Sequence, residues 1–187
     1  GIELVNRSGC ASDATLSKQL KPLAALCRFE DYPSDQIGAL IQLIQDIIAR
    51  HPDISPVNVV GHADIAPDRK VDPGPQFPWQ ALHQAGIGPW YFERDKAFYL
   101  DWVTGNTLDI TRAQSALALF GYPIDVTGEQ DHQSQRATRA FQMHYRPDNF
   151  TGLIDAETVA ITLALLNRYK PMLLETLQIP THDFKTP

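Results

Sequence analysis

The sequence predicts an α/β unit followed by a small all-α three-helix bundle, and three observations carry that reading. Two short apolar or β-branched runs, Ile2-Glu3-Leu4-Val5-Asn6 and Val57-Asn58-Val59-Val60, bracket a segment of helical periodicity. Beyond residue 105, three amphipathic stretches are separated by glycine-containing turns. The length, 187 residues, suits one large or two small domains.

Residues 1–6 read as a buried strand with Glu3 among its apolar positions, ended by Asn6 and the turn-forming Ser8-Gly9. Residues 8–33 are mixed and polar and read as a long loop or insertion. Ser34 is placed to cap a helix whose face is Ile37, Leu40, Ile41, Ile44, Ile47 and Ile48. That helix stops near His51-Pro52, because proline disfavours the α conformation in the residue before it. Val57 to Val60 reads as a central strand that delivers His62 at its carboxyl end, where α/β sheets place ligands and catalytic groups. A Pro/Gly-rich loop over 73–78 leads into a short helix near Trp79, and Gly86-Ile87-Gly88-Pro89 closes a first unit over 1–89.

Residues 90–105 are aromatic and charged, and read as a packed connector, not a flexible linker. In the second unit, 106–170, Ala113, Ala116, Leu117 and Phe120 form an apolar face ended by the helix-stopping Gly121. Ser134 to Tyr145 forms a second helix with Ala137, Ala140 and Phe141 inward. Asp155 caps a third that runs through Val159, Leu163 and Leu166 to Lys170-Pro171. The 171–187 tail has three prolines and little periodicity, and is expected on the surface.

Composition excludes several classes. The formal net charge is −6 and no Lys/Arg cluster forms a phosphate-binding stripe, so a nucleic-acid partner is not expected. No apolar run approaches the roughly 20 residues of a membrane-spanning helix. The chain opens on Gly1, not methionine, with no visible signal peptide or lipid-attachment sequence, and is read as the C-terminal part of a longer protein. Cys10 and Cys27 belong to no C-x-x-C pair. They read either as a disulfide, pointing to an oxidising compartment, or as two thiols, and spacing decides neither.

The most informative stretch runs from Gly61 to Pro75. His62 ends an apolar run, and Lys70 and Asp72 follow on a loop stiffened by Pro73, Gly74 and Pro75. An imidazole nitrogen and a carboxylate oxygen suit Zn²⁺, and Lys70 brings a positive charge to the same loop. The pattern points to a metal-assisted hydrolase. Asp64 and Asp68 read as turn formers, and His51, His83, His132, His144 and His182 as poor candidates for a further ligand.

Together the opening strand, Val59-Val60-Gly61-His62, the Arg69-to-Pro75 loop, Phe77-Pro78-Trp79 and Ala85-Gly86-Ile87-Gly88 resemble the zinc-dependent N-acetylmuramoyl-L-alanine amidases of the type-2 amidase family. The similarity is greatest to the periplasmic or outer-membrane AmpD-homologue group of Gram-negative bacteria. Ala140-Phe141-Gln142-Met143-His144 resembles a helix of a peptidoglycan-binding domain. The resemblance implies a mixed sheet flanked by helices, incomplete in this chain, and zinc held by two histidines and an acidic or cysteine ligand. By position it makes His62 the second histidine, Asp72 the acidic ligand, Glu3 the catalytic glutamate and Lys70 the catalytic lysine. The family's first histidine lies upstream of its glutamate, so the resemblance assigns the third ligand to an N-terminal segment of the same protein.

The implied reaction cleaves the amide between the lactyl group of N-acetylmuramic acid and L-alanine in peptidoglycan turnover, in the periplasm or at an outer-membrane anchor. Each residue has a plainer alternative. His62 can be a hydrogen-bonded strand-end histidine, Asp72 a turn residue, Lys70 a solvated charge, and Glu3 an ion-pair partner of Arg7 or Arg69. At the level of function, the alternatives are a non-catalytic peptidoglycan-binding protein on the same scaffold and a zinc hydrolase of other amides. Gln142, Tyr145 and Arg146 are the surface groups available to touch glycan or peptide, though the sequence singles out no binding site.

Overall fold

The computed structural model describes residues 1–10, 27–106 and 109–182. Its elements are β1 (Gly9–Cys10), β2 (Cys27–Arg28), α1 (Ser34–Arg50), a 3-10 turn (Pro56–Asn58), α2 (His62–Ile65), α3 (Trp79–Gln84), α4 (Glu93–Asn106), α5 (Ile110–Phe120), α6 (His132–Tyr145), α7 (Ala156–Tyr169) and α8 (Met172–Thr176). Among the described residues the β-structure is one antiparallel pair, with Gly9 opposite Arg28 and Cys10 opposite Cys27. Cys27 is disulfide-bonded, which resolves the alternative that the sequence left open.

The mixed sheet expected for residues 1–89 is not formed among the described residues, and both expected strands are corrected. Residues 1–6 are irregular and Glu3 is exposed. Residues 57–60 hold part of the 3-10 turn and then irregular chain, because Pro56 at its start fixes a turn-compatible φ. A β-branched run becomes a strand only when a neighbouring strand takes its backbone hydrogen bonds, and neither run has one among the described residues. His62 therefore opens a short helix instead of ending a strand.

Helix α1 matches its periodicity and stops before Pro52 as expected, with Ile37 and Leu40 buried and Arg50 paired to Asp46 one turn back. Pro33, not Ser34, occupies its cap position and makes no side-chain cap bond. The loop over 73–78 is fixed by aromatic packing. Gly74 has φ +82°, and a Cβ there would lie 2.6 Å from the Phe29 ring, so only glycine fits. Phe29 in turn meets Phe150 edge-to-face, and Phe77 packs on both Tyr32 and Trp79.

Helix α7 is the core of the second unit. Nine successive residues, Thr158 to Leu166, are buried on all sides, the signature of a helix surrounded by others. The three predicted bundle helices form, and each is capped by an aspartate: Asp109 accepts from Arg112 N–H, Asp131 from Ser134 N–H and Asp155 from Thr158 N–H. The bundle is larger than three helices, because the segment read as a connector is α4, which packs extensively along α7. Tyr99 of α4 is fully buried, and its hydroxyl donates to Pro180 O.

The expectation of a surface tail is also corrected over its described part, residues 171–182, while 183–187 lie outside the described residues. Leu174, Leu177 and Ile179 are buried, and Asn167 exchanges two hydrogen bonds with the His182 backbone. Gln142, Tyr145 and Arg146 are buried, not surface groups. The Gln142 amide donates to Leu153 O and Thr158 Oγ1 and accepts from Gly152 N–H, while Arg146 forks onto Asp155. These side chains hold the bundle together instead of facing a ligand.

Candidate active site

The site is built on α2, a single helical turn. A helix this short does not persist on its own propensity, so its neighbours must fix it. Ala63 N–H donates to Asp72 O at 2.8 Å, tying the start of the helix to the loop that returns beneath it. The helix ends as Ala66 N–H reaches His62 O, and Arg69 and Lys70 N–H both donate to Ala66 O. Tyr32 donates from its hydroxyl to Pro73 O, anchoring the far side of the loop. Its phenol is held above its ordinary range by burial first and the Asp72 charge second, so it stays a donor.

This scaffold brings His62 and Asp72 together. His62 Nδ1 lies 3.1 Å from Asp72 Oδ2, with the two side chains 41% and 59% exposed. Two donors each about 2.0–2.1 Å from a tetrahedral zinc sit about 3.3 Å apart, so the pair fits two corners of such a site with its open side toward solvent. Among the described residues no group of three His, Cys, Asp or Glu side chains forms a metal cluster. The residues present therefore fit zinc as a partial ligand set.

The other two candidates are placed less closely. Lys70 is half-buried, two residues from Asp72 on the same loop. Glu3 lies exposed in the irregular opening segment and makes no hydrogen bond or ion pair among the described residues, including the pairings with Arg7 or Arg69. The structure thus unites two of the four candidates directly.

Beneath the pair lies an interaction that the sequence reading missed. Asp64, expected as a turn former, is buried at 6% exposure. Its Oδ2 accepts from Gly61 N–H at 2.7 Å and from His144 Nδ1 at 2.8 Å, and its Oδ1 accepts from Tyr122 hydroxyl at 2.6 Å. His144, expected to serve only the bundle, is stacked on Trp79 with ring centroids 3.8 Å apart. Burial first, and then the Asp64 charge, hold the Tyr122 phenol well above its ordinary range. Gly61 must be small here, since a Cβ would lie 2.7 Å from Pro73 Cδ. The glycine-to-aspartate spacing of three is the return half of a capping box and was legible locally. The partners on α6 and at Tyr122 were not.

The chain is similar to known proteins. Residues 1–75 match a family model described as N-acetylmuramoyl-L-alanine amidase, and residues 106–161 one described as putative peptidoglycan binding domain. The chain is 45% identical over 172 residues to N-acetylmuramoyl-L-alanine amidase AmiD of Escherichia coli (strain K12), covering 90% of this chain and 57% of that protein. It is 30% identical over 123 residues to a putative N-acetylmuramoyl-L-alanine amidase of Rickettsia conorii, covering 62% and 46% respectively. The chain thus spans about half the length of the curated relatives it matches.

Two solved structures agree. The structure of AmpDh3 from Pseudomonas aeruginosa in complex with anhydromuramic pentapeptide superposes with TM-score 0.74 at 41% identity, over 80% of this chain and 58% of that one. AmiD from E. coli, in complex with the substrate anhydro-N-acetylmuramic acid-L-Ala-D-γ-Glu-L-Lys, gives TM-score 0.70 at 44% identity, over 81% and 58%. In order along the chain, its two units are similar to an N-acetylmuramoyl-L-alanine amidase and to a peptidoglycan-binding domain.

Proposed function

We propose that the chain is the C-terminal part of a zinc-dependent N-acetylmuramoyl-L-alanine amidase. Its reaction is hydrolysis of the amide between the lactyl group of N-acetylmuramic acid and L-alanine of the stem peptide, in cell-wall turnover. The observation that carries this reading is the 3.1 Å approach of His62 Nδ1 to Asp72 Oδ2 on a solvent-facing loop, within the segment that matches the amidase family. The muropeptide complexes of similar structures support the substrate class.

His62 and Asp72 would hold the metal, with a third ligand from an N-terminal segment of the same protein. When bound, zinc supplies Lewis acidity toward the scissile carbonyl and the attacking water. Glu3 takes the proton from that water as general base and passes it to the leaving amine. Lys70 stabilises the negative charge that develops on the carbonyl oxygen, an interaction stronger in the transition state than in the ground state. The helical unit keeps the enzyme on peptidoglycan. The disulfide at Cys27 supports an oxidising compartment, and we place the protein in the periplasm, free or anchored at the outer membrane. No helix among the described residues is long and apolar enough to cross a membrane.

The test is release of stem peptide from muropeptides and from whole cell walls by the purified full-length protein. Peptide release that is lost in Glu3→Gln and Lys70→Ala supports the reading. Wall binding without any release favours a non-catalytic binding protein, and cleavage of small acyl-amino acids alone favours a hydrolase of other amides.

A further inference from the structure

We infer that Asp64 is a positioning residue for His62, held in place by His144 and Tyr122, so that the helical unit is a working part of the metal centre as well as a wall anchor. The inference rests on the metal reading of His62 and Asp72 and adds residues that this reading does not use. Asp64 grips Gly61, the residue before His62, through its backbone N–H. The next N–H along, that of Ala63, holds the Asp72 carbonyl. One helical turn therefore sets the backbone of both candidate ligands, and Asp64 is the side chain that pins its start.

Asp64 is itself pinned from the other unit. His144 Nδ1 and Tyr122 hydroxyl take one carboxylate oxygen each, at 2.8 and 2.6 Å. A carboxylate oxygen only accepts, so both partners are donors. The His144 ring lies flat between Trp79 and Tyr145, with centroids 3.8 and 4.0 Å away, which fixes the direction of its N–H. Its Nε2 is buried without a partner among the described residues, so the bond to Asp64 is the ring's polar contact in this core. Groups that orient a metal ligand in this way govern affinity about 10–100-fold when removed.

The experiment measures the equilibrium Zn²⁺ affinity of the metal-stripped full-length protein by competition with a chromophoric chelator, alongside the thermal unfolding midpoint without metal. The variants are Tyr122→Phe, His144→Phe and His144→Asn. Tyr122→Phe and His144→Phe should each weaken zinc binding by about 10-fold or more. His144→Asn, which keeps an N–H donor near the position of Nδ1, should recover most of that loss. Lowered midpoints with wild-type zinc affinity in the folded protein would show that the contact merely docks the two units, and would overturn the inference. Should His144→Phe fail to fold, Tyr122→Phe decides alone, since it removes a single oxygen. A wild-type protein that binds no zinc overturns the metal reading and this inference together, which separates that outcome from failure of the inference alone.

Discussion

His144 Nδ1 donates to Asp64 Oδ2 at 2.8 Å across 80 positions of sequence, with both side chains almost wholly buried. This contact ties the loop carrying His62 and Asp72 to helix α6. Removing His144 takes away one of the donors to a buried carboxylate that keeps Gly61 N–H and the Tyr122 hydroxyl, and a hydrogen bond to a charged group contributes about 1.5–3 kcal/mol. His144→Ala should therefore destabilise by about that amount in equilibrium denaturation, and an effect below about 1 kcal/mol would show the contact to be incidental.

The Arg146–Asp155 fork makes a prediction about pH. Burial by itself would raise the Asp155 pKa, but the Arg146 hydrogen bonds, followed by those from Thr158 N–H and hydroxyl, outweigh it and lower the group below its ordinary value. A carboxylate depressed on folding stabilises above its unfolded pKa, about 3.9, and loses that contribution as pH falls through the folded value. Wild type should thus unfold at higher temperature than Asp155→Asn at pH 6, with the gap closing below about pH 4. A gap that stays constant to pH 2 would contradict the assignment.

Leu174 is fully buried in α8, in the stretch that looked like a surface tail. Leu174→Ala should cost about 2–5 kcal/mol, the range for a large-to-small change in a core. A cost within about 0.5 kcal/mol, as for a surface position, would return the segment to the surface.

Gly74 combines φ +82° with a 2.6 Å approach of its absent Cβ to the Phe29 ring. Gly74→Ala strains the backbone by about 1–3 kcal/mol and displaces Phe29 as well. Its unfolding midpoint should fall more than that of Gly105→Ala, where a Cβ meets nothing within 4 Å. Equal midpoints would show that the loop relaxes freely.

What the sequence made legible follows from the range of the forces involved. Helices α1, α5, α6 and α7 were readable because periodicity, an Asp155 cap and the Gly121 stop act within a few residues. The strands at 1–6 and 57–60 were misread because strand formation depends on a partner elsewhere, which composition cannot supply. The same limit applied to burial. Phe98 and Tyr99 made 90–105 look packed, but nothing local revealed that α4 lies along α7. At the site, His62 and Asp72 stood out because they lie only ten positions apart on a stiff loop, whereas the partners of Asp64 lie 58 and 80 positions away.

The most direct measurement is the zinc content of the purified full-length protein and of its His62→Ala and Asp72→Ala variants, with stem-peptide release from an anhydromuropeptide recorded on the same samples. The predicted result is about one zinc per wild-type molecule with release of peptide, and loss of both in either variant while the fold persists. Variants that keep wild-type zinc and wild-type release would contradict the assignment of His62 and Asp72 as the metal pair.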